Sequence, residues 1–485
     1  MKQSILLFAF VIFGNINLQA QITWESTDMD ISNNSFGNMH PRLAKDRMGN
    51  PLVVWGRMSD KSVMFSRWNG TGFTTPMRLN PSGMDVATAS WMGPDIASHG
   101  DTVYVIVKRT PEVTDTNYIY IIRSFDGGQN FVAPVRVDMI ADSISRFPTI
   151  ATDPLGNPLV AFMKFNSSFF ESRWVVTKSA DFGNTFSTDV LASGWDGSTE
   201  VCDCCPGSIV SDGNNSAVLY RNNNSNIRDS WMGVSTDNSS TYTAGCALED
   251  NDWMIMACPS TGPDGIIIGD TLHSVFVNGA SGDYLIYYSK ASLSNVSMNS
   301  VNPIASNIAG LTQQNYPRIE KNGNAVGIVW KQVVNGSSEL ALLFTNDISM
   351  GFPQSPDTVD LGDVTNTDVI INNENIFVVW QDDNSNTVKF RMGSYNPSTA
   401  KVNKINLEET LSINPNPATN SITIETNFGE SLLSVHDLLG KEILNKQISH
   451  SENNITIDIS SWNKGIYMVT IQLKDKSLIQ KIIKE

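Results

Sequence analysis

The sequence predicts an all-β protein in which a β-propeller is followed by a small β-sandwich. Three observations lead to this fold class. Helical periodicity is almost absent between residues 21 and 405, a strand pattern recurs there every 50 to 58 residues, and a strand-rich segment of different character closes the chain. A repeat of this length built only from strands is typical of propeller blades, each of which is a small four-stranded sheet.

Each repeat contains three recognisable strand runs separated by Asn, Gly, Asp and Ser. The second run is the clearest, and it ends at or near a large apolar residue in every repeat: Trp55, Ile106, Phe162, Tyr220, Phe276, Trp330 and Trp380. The run before it carries a proline in six repeats: Pro41, Pro94, Pro148, Pro206, Pro259 and Pro317. We therefore expect seven blades, with six blades and one irregular repeat as the alternative.

The seventh repeat has no obvious outer strand. Residues 21–26 (QITWES) have strand character and precede the first repeat. We expect this segment to supply the missing outer strand and so to close the ring.

The first twenty residues, MKQSILLFAFVIFGNINLQA, have the pattern of a signal peptide. Lys2 gives a positive start, an apolar run shorter than a membrane span follows, and Ala20 ends a small-residue cleavage site. We assign residues 1–20 to the signal peptide and 21–405 to the propeller. No later stretch is apolar enough to span a membrane, so the mature chain is expected to work outside the cytoplasm under oxidising conditions.

The composition of the 485 residues is that of a globular protein, with 41% hydrophobic and 17% charged residues. The formal net charge of −16 argues against a nucleic-acid partner, which requires a basic surface.

The turn after the third run of two repeats reads SFDGGQNF at 124–131 and SADFGNTF at 179–186. These turns resemble the Asp-box of sialidases and related propellers, and degenerate copies follow at 235–242 and 345–352. In such a turn the aspartate bonds nearby backbone N–H groups, so its role is structural. We assign this role to Asp126, Asp181, Asp237 and Asp347.

Residues 409–485 form the C-terminal segment. The Pro415-Asn416-Pro417 run, the Val435-x-Asp437-x-x-Gly440-Lys441 run, Gly465-x-Tyr467 and a lysine-rich end resemble the C-terminal sorting domain of the type IX secretion system. The resemblance implies the secretion machinery as a partner and a secreted or cell-surface location. An adhesive accessory sandwich is the alternative.

Four of the five cysteines fall near two prolines of the repeat, in CDCCPG at 202–207 and ACPSTGP at 257–263. Disulfides suit an exported protein. A soft-metal site stays open, although C-x-C-C is not a usual zinc spacing, and no other cofactor is expected. We expect one link from the Cys202, Cys204 and Cys205 group to Cys258 and a second to Cys246.

Basic residues follow the second strand in most repeats. In a propeller these positions lie around one mouth of the central channel, where a ring of cations would attract an anionic ligand. The predicted substrate-binding residues are Arg57, Arg109, Lys164, Arg221, Arg228, Arg318 and Lys331. Arg42 can add to them, and His40 is the one histidine expected at this mouth. Each charge taken alone fits a solvated strand end better, and it is the set of charges together that favours an anion-binding mouth.

The cysteine motifs together with the Asp-box turns resemble a secreted subgroup of sialidase-like propellers. This resemblance implies exo-sialidase-type hydrolysis of an acidic glycan, with a carboxylic acid that protonates the leaving group. The Arg-Ile-Pro signature of true sialidases is absent, and no catalytic residue can be assigned. Two alternatives are a non-catalytic surface propeller that binds glycan or protein, and a lyase that acts on uronic-acid polysaccharides.

Overall fold

In the computed structural model the described residues are 22–112, 118–139, 143–198, 200–396, 412–425, 431–437, 441–448, 454–472 and 477–485. The predicted signal peptide and the predicted junction between the propeller and the C-terminal segment lie outside them. The chain divides into two compact units, Met1–Ser398 and Thr399–Glu485. Among the described residues, no helix has the length and apolar character needed to cross a membrane.

The described residues of the first unit form seven antiparallel sheets, which confirms the prediction of seven blades. Blade one consists of β3 Asn38–Lys45, β4 Pro51–Arg57, β5 Ser62–Arg67 and β6 Met77–Arg78. Blade two consists of β7 Asp95–His99, β8 Thr102–Lys108, β9 Ile119–Ser124 and β10 Val135–Arg136. Blade three consists of β11 Ser143–Thr152, β12 Pro158–Asn166, β13 Arg173–Lys178 and β14 Val190–Leu191. In each blade the first strand is innermost and the fourth is outermost.

The next three blades repeat this order. Blade four consists of β15 Ser208–Asp212, β16 Asn215–Arg221, β17 Ser230–Ser235 and β18 Ala244–Ala247. Blade five consists of β19 Asp264–Ile268, β20 Thr271–Asn278, β21 Leu285–Ser292 and β22 Ser297–Pro303. Blade six consists of β23 Leu311–Asn322, β24 Ala325–Val334, β25 Ser337–Thr345 and β26 Asp357–Leu361. A short 3-10 helix, Ile348–Met350, precedes β26.

The seventh blade closes the ring with both ends of the unit. Its inner strands are β27 Val364–Ile371, β28 Asn375–Asp382 and β29 Thr387–Ser394, and its outer edge is formed by β1 Thr23–Trp24 and β2 Met29–Asp30. Trp24 pairs with Gly393, where a side chain on the glycine would collide with the Trp24 ring. The segment around β1 therefore supplies the outer strand, as its strand character predicts.

The propeller core lies between adjacent blades. Val54 of blade one packs in the same cluster as Val105 of blade two, and Trp174 of blade three shares a cluster with Tyr220 of blade four. Each inner sheet therefore buries both faces, and this explains why the second strands read as continuous apolar runs.

The second unit consists of two sheets. One contains β30 Ser412–Asn414, β31 Ser421–Glu425 and β34 Asn454–Asp458, and the other β32 Ser431–Asp437, β33 Glu442–Ile448, β35 Gly465–Gln472 and β36 Ser477–Lys484. Ile422 and Ile457 of the first sheet share one core with Val435 and Val469 of the second, which is the packing of a small β-sandwich.

Candidate functional site

The first strands of the blades, together with the segments that lead into three of them, line one cavity at the mouth of the central channel. The lining residues come from all seven blades: His40, Arg42, Ser90–Asp95, Phe147–Thr149, Pro206–Gly207, Ser260–Pro263, Tyr316–Arg318 and Asn366–Thr367. We call this cavity the channel pocket. Its volume is about 70 Å³, so it can hold a few water molecules or the end group of a larger ligand rather than a whole oligosaccharide.

Four blades bring the chain into the pocket through the same irregularity. The first strand is bulged, and the residue at the bulge has a left-handed backbone: His40 (φ 57°), Phe147 (φ 51°), Tyr316 (φ 55°) and Asn366 (φ 48°). This conformation costs about 1–3 kcal/mol for a residue other than glycine, and such strain concentrates at functional sites. The strained residues in four of the seven blades therefore mark this pocket as the candidate functional site.

The first strand of each blade has one residue at an equivalent position in its pairing with the second strand. In the four bulged strands this is the first paired residue after the bulge. These seven residues form a polar ring around the channel: Arg42, Asp95, Thr149, Ser208, Asp264, Arg318 and Asp368. In five of the seven blades the ring residue directly follows a proline, and this pattern is visible in the sequence. The three aspartates were nevertheless not among the predicted site residues.

The three aspartates of this ring connect neighbouring blades. Asp95 Oδ2 accepts a hydrogen bond from the backbone N–H of Ile150 at 3.1 Å, and Asp264 Oδ2 accepts one from Ile319 at 3.0 Å. The third such bond runs from the backbone N–H of Leu43 to Asp368 Oδ2. Each of the three carboxylates therefore links its own blade to a neighbouring blade.

The two arginines of the ring differ in their surroundings. Arg318 lies between Asp264 at 3.4 Å and Asp368 at 3.2 Å, and these carboxylates raise its pKa. Arg42 donates to the carbonyl of Pro41 at 2.7 Å, and no carboxylate of the described residues lies within 4.0 Å of its guanidinium. Burial and Arg318 lower the pKa of Arg42 to about 10, so it stays charged at neutral pH. Of the two pocket arginines, Arg42 therefore has no carboxylate at ion-pair distance, although Asp368, Asp95 and Asp264 raise its pKa from farther away.

Three further side chains complete the lining. His40 is buried against Gly93, and burial with the charges of Arg42 and Arg318 lowers its pKa well below the usual value, so its imidazole is neutral. The indole of Trp91 is 44% exposed, which leaves an aromatic face available to a sugar ring. The Tyr316 side chain is half-buried, and burial raises the pKa of its hydroxyl.

The predicted ring of substrate-binding cations is not formed as expected. Of its members only Arg318 lines the channel pocket. Lys164 and Lys331 lie at the predicted strand ends, but carboxylates neutralise them: Asp189 at 2.9 Å and Asp363 at 2.7 Å. Arg57 is likewise ion-paired with Asp60. The chain carries a net charge of −16, and each of these three strand-end cations has a carboxylate beside it.

Arg109 is half-buried beside the end of the second strand of its blade, where its backbone pairs with Val86. Arg221 is buried and has a structural role, because it donates to the carbonyls of Arg228 at 2.6 Å and Val277 at 2.7 Å. The bond to Val277 joins blade four to blade five, and the bond to Arg228 holds the loop between the second and third strands of blade four. Neither Arg109 nor Arg221 is among the residues of the channel pocket.

Four of the five cysteines lie beside the channel pocket. Cys204 and Cys258 form a disulfide across 54 residues, and it links the segments that lead into blades four and five. The expected second link to Cys246 is wrong: Cys246 is a free cysteine on the outermost strand β18, away from the innermost strands. The proline of the repeat in blade five is Pro263 rather than Pro259, because Pro263 directly precedes the ring residue Asp264, as Pro317 precedes Arg318.

Cys202 and Cys205 are free and buried next to this disulfide. The Cys202 sulfur lies 3.4 Å from the Cys204 sulfur and 3.2 Å from the Cys205 sulfur. The Arg228 guanidinium donates to the Cys202 sulfur at 3.2 Å. Arg228, which was predicted to bind substrate, therefore contacts a cysteine instead. A hydrogen bond with Cys205 and the charge of Arg228 lower the pKa of Cys202 to about 6, whereas burial raises that of Cys205.

The turns assigned to aspartate lie on the outer part of the blades, before the fourth strands. Asp181 Oδ1 accepts from the backbone N–H of Thr185 at 2.8 Å and from the Ser179 hydroxyl at 2.8 Å. Asp126 and Asp237 make the same pattern. Asp347 accepts one backbone bond, from Ser349, at the start of the short 3-10 helix.

Comparison with known proteins gives a family for the C-terminal unit. Residues 412–485 match the model described as "Secretion system C-terminal sorting domain". No curated protein matches the chain.

Several solved structures are similar to the propeller at low identity. A protein of unknown function from Dyadobacter fermentans is 11% identical, with 78% of this chain and 98% of that one covered and a TM-score of 0.46. A Trypanosoma rangeli sialidase in complex with sialic acid is 9% identical, with coverages of 95% and 88% and a TM-score of 0.43. An ulvan lyase is 11% identical, with coverages of 76% and 95% and a TM-score of 0.48.

Export follows from the sorting domain, because domains of this family direct proteins through the type IX system to the cell surface. The chain is therefore a seven-bladed β-propeller that carries a secretion system C-terminal sorting domain at residues 412–485.

Proposed function

We propose that this exported propeller binds acidic glycans at the channel pocket, with Arg42 as the group that holds a carboxylate of the sugar. The observation that carries this proposal is the half-buried, charged guanidinium of Arg42, which has no carboxylate partner among the described residues. A planar guanidinium suits a carboxylate because the two can form paired hydrogen bonds. Trp91, at the edge of the same pocket, offers a face for the ring of the sugar.

Binding is better supported than hydrolysis. Sialidases use a tyrosine nucleophile in place of the nucleophilic carboxylate of most glycosidases, but they still need a carboxyl group that is free to protonate the leaving group. Asp95 is the one carboxylate among the described residues that line the pocket, and Thr149 and Ile150 already donate hydrogen bonds to it. Exo-sialidase-type hydrolysis therefore has less support here than recognition of an acidic end group.

A lyase reaction on uronic-acid polymers is the second candidate. Such a reaction removes the proton next to a carboxylate, so it needs a cation for that carboxylate and a base or acid close by. The neutral imidazole of His40 and the hydroxyl-bearing Tyr316 line the same pocket as Arg42, and this combination favours the lyase over the hydrolase.

Calorimetric titration of the full chain tests the proposal. We would titrate sialyllactose and a glucuronate oligosaccharide, with lactose and the corresponding neutral oligosaccharide as controls. Binding of at least one acidic sugar that weakens with salt is expected, and Arg42→Ala should weaken it at least tenfold, while Arg42→Lys should lose less. Arg57→Ala is the matched control, because Arg57 is already paired with Asp60.

Equal affinity for acidic and neutral sugars, or an unchanged affinity in Arg42→Ala, would remove the proposal. The same mixtures are assayed for products. New reducing ends without a double bond would indicate hydrolysis, and ultraviolet absorbance from a new double bond would indicate the lyase.

A further inference from the structure

The four cysteines beside the channel pocket combine a free thiol with a disulfide at reacting distance. Cys202 and Cys205 are buried, whereas Cys258 lies on the surface. The Cys202 sulfur is 3.4 Å from the Cys204 sulfur, which belongs to the Cys204–Cys258 disulfide. Reacting atoms about 3–3.5 Å apart are in the range from which a bond can form.

The surroundings of Cys202 favour its thiolate, the form that attacks disulfides. The Arg228 guanidinium donates to the sulfur at 3.2 Å, and among the described residues no carboxylate lies within 4.0 Å of Arg228 to compete for it. A half-buried cation without a carboxylate nearby, such as Arg228, is stabilised by an anionic sulfur. The lowered pKa of Cys202 agrees with this arrangement.

The far end of the disulfide has features of a leaving group. Cys258 is exposed, so a thiolate formed there can be solvated and protonated by water. The Ser260 hydroxyl donates to the Cys258 sulfur at 3.5 Å, and this contact would stabilise negative charge on it.

We propose that Cys202, Cys204 and Cys258 form a thiol–disulfide exchange centre. The Cys202 thiolate attacks the Cys204 sulfur, a Cys202–Cys204 bond forms, and the Cys204–Cys258 bond breaks. The electron pair of the broken bond leaves on Cys258, which takes up a proton from water. One thiol and one disulfide are present before and after the step, so no oxidant or reductant is needed.

The exchange converts a buried thiol into an exposed one. The released Cys258 thiol is the group that would react with disulfides in the surrounding medium, either small molecules or other proteins. This inference does not depend on the proposed glycan binding.

Native alkylation followed by peptide mass spectrometry tests the exchange. The full chain is incubated with iodoacetamide without reductant, and the modification of Cys258 is followed over time. We expect Cys258 to become alkylated as a Cys202–Cys204 linkage appears. In Cys202→Ser the disulfide should stay in place, and the rate of Cys258 alkylation should fall at least tenfold.

Two further variants separate the chemistry from a folding defect. Cys246→Ser is the matched control, since it removes a free thiol outside the cluster and should leave the rate unchanged. Arg228→Gln should slow the alkylation of Cys258, and Arg228→Lys should restore part of the rate because it keeps a positive charge. Circular dichroism checks that each variant is folded.

Three results would overturn the proposal. They are a Cys258 that stays unmodified in the folded wild type, equal modification in the wild type and Cys202→Ser, and purification of the chain with all four thiols reduced around a bound soft metal. Incubation with glutathione disulfide gives a second readout, because exchange should place a glutathione adduct on Cys258 in the wild type alone.

Discussion

Asp368 Oδ2 accepts a hydrogen bond from the backbone N–H of Leu43 at 2.8 Å, and this bond joins the last blade of the propeller to the first. The same aspartate lies 3.2 Å from Arg318 through its other oxygen. One buried carboxylate therefore contributes both to ring closure and to the position of a pocket cation.

The first prediction concerns this aspartate. Asp368→Ala leaves the Leu43 N–H without its acceptor and removes one of the two carboxylates beside Arg318, so the free energy of unfolding should fall by about 3 kcal/mol. Urea denaturation of the full chain measures it. Asp363→Asn is the control: that side chain is 55% exposed in its ion pair with Lys331, and the change should stay within about 0.5 kcal/mol. Equal losses in both variants would show that Asp368 does not connect the blades.

The second prediction concerns Glu249, which is buried and accepts hydrogen bonds from the backbone N–H of Ser230 at 2.6 Å and from Asn278 at 2.5 Å. Burial raises its pKa from 4.5 to about 7. Between these two values the unfolded chain loses a proton that the native chain keeps, so this group lowers stability as the pH rises.

Glu249→Gln removes that titration. The free energy of unfolding of the variant relative to the wild type should therefore increase by about 3 kcal/mol between pH 4.5 and pH 7, whatever constant offset the new amide introduces. Urea denaturation across this range measures the difference. Glu374→Gln, which changes an exposed glutamate, should run parallel to the wild type. A parallel curve for Glu249→Gln would contradict the prediction.

The third prediction separates turn formation from ligand binding. Asp181→Ala removes the acceptor for the Thr185 N–H and the Ser179 hydroxyl, and the propeller should lose about 1 kcal/mol of stability. Asp181→Asn keeps one oxygen in place and should lose less. Binding of acidic sugar should be the same in both variants, because the turn lies outside the channel pocket. A loss of binding without a loss of stability would assign Asp181 to the site.

The fourth prediction concerns export. A chain that ends before residue 412 lacks the matched sorting domain and should stay inside the producing cell, whereas the full chain reaches the surface. Immunoblotting of cell fractions and surface labelling of intact cells measure the distribution. Surface display of the shortened chain would show that export does not require this domain.

Much of the fold could be predicted from the sequence because a propeller repeats the same local pattern. The apolar second strands recur with nearly constant spacing, and their aromatic ends, such as Trp55 and Trp330, are buried as expected. The segment around Trp24 was also recognisable as the missing outer strand, since strand character and its place before the first blade suffice for that inference.

The site was harder to predict because charges are neutralised by groups distant in sequence. In the sequence Lys331 has no visible partner, but the fold brings Asp363 beside it. Arg228 likewise has no visible partner in the sequence, but the fold brings the Cys202 sulfur to its guanidinium. Arg42 was noted only as an addition to the ring, yet of the two arginines that line the channel pocket it is the one with no carboxylate of the described residues within 4.0 Å.

The spacing of the repeats and the order of the motifs predicted seven blades, the strand that completes the seventh blade and the sorting domain, because periodicity and motif order are properties of the chain. The ion pairs of the channel arginines, the aspartates that connect the blades, and the cysteine sulfur beside the Cys204–Cys258 disulfide are visible in the three-dimensional structure alone. These are distances between residues of different blades or loops, and interaction energies between charges and thiols depend on such distances.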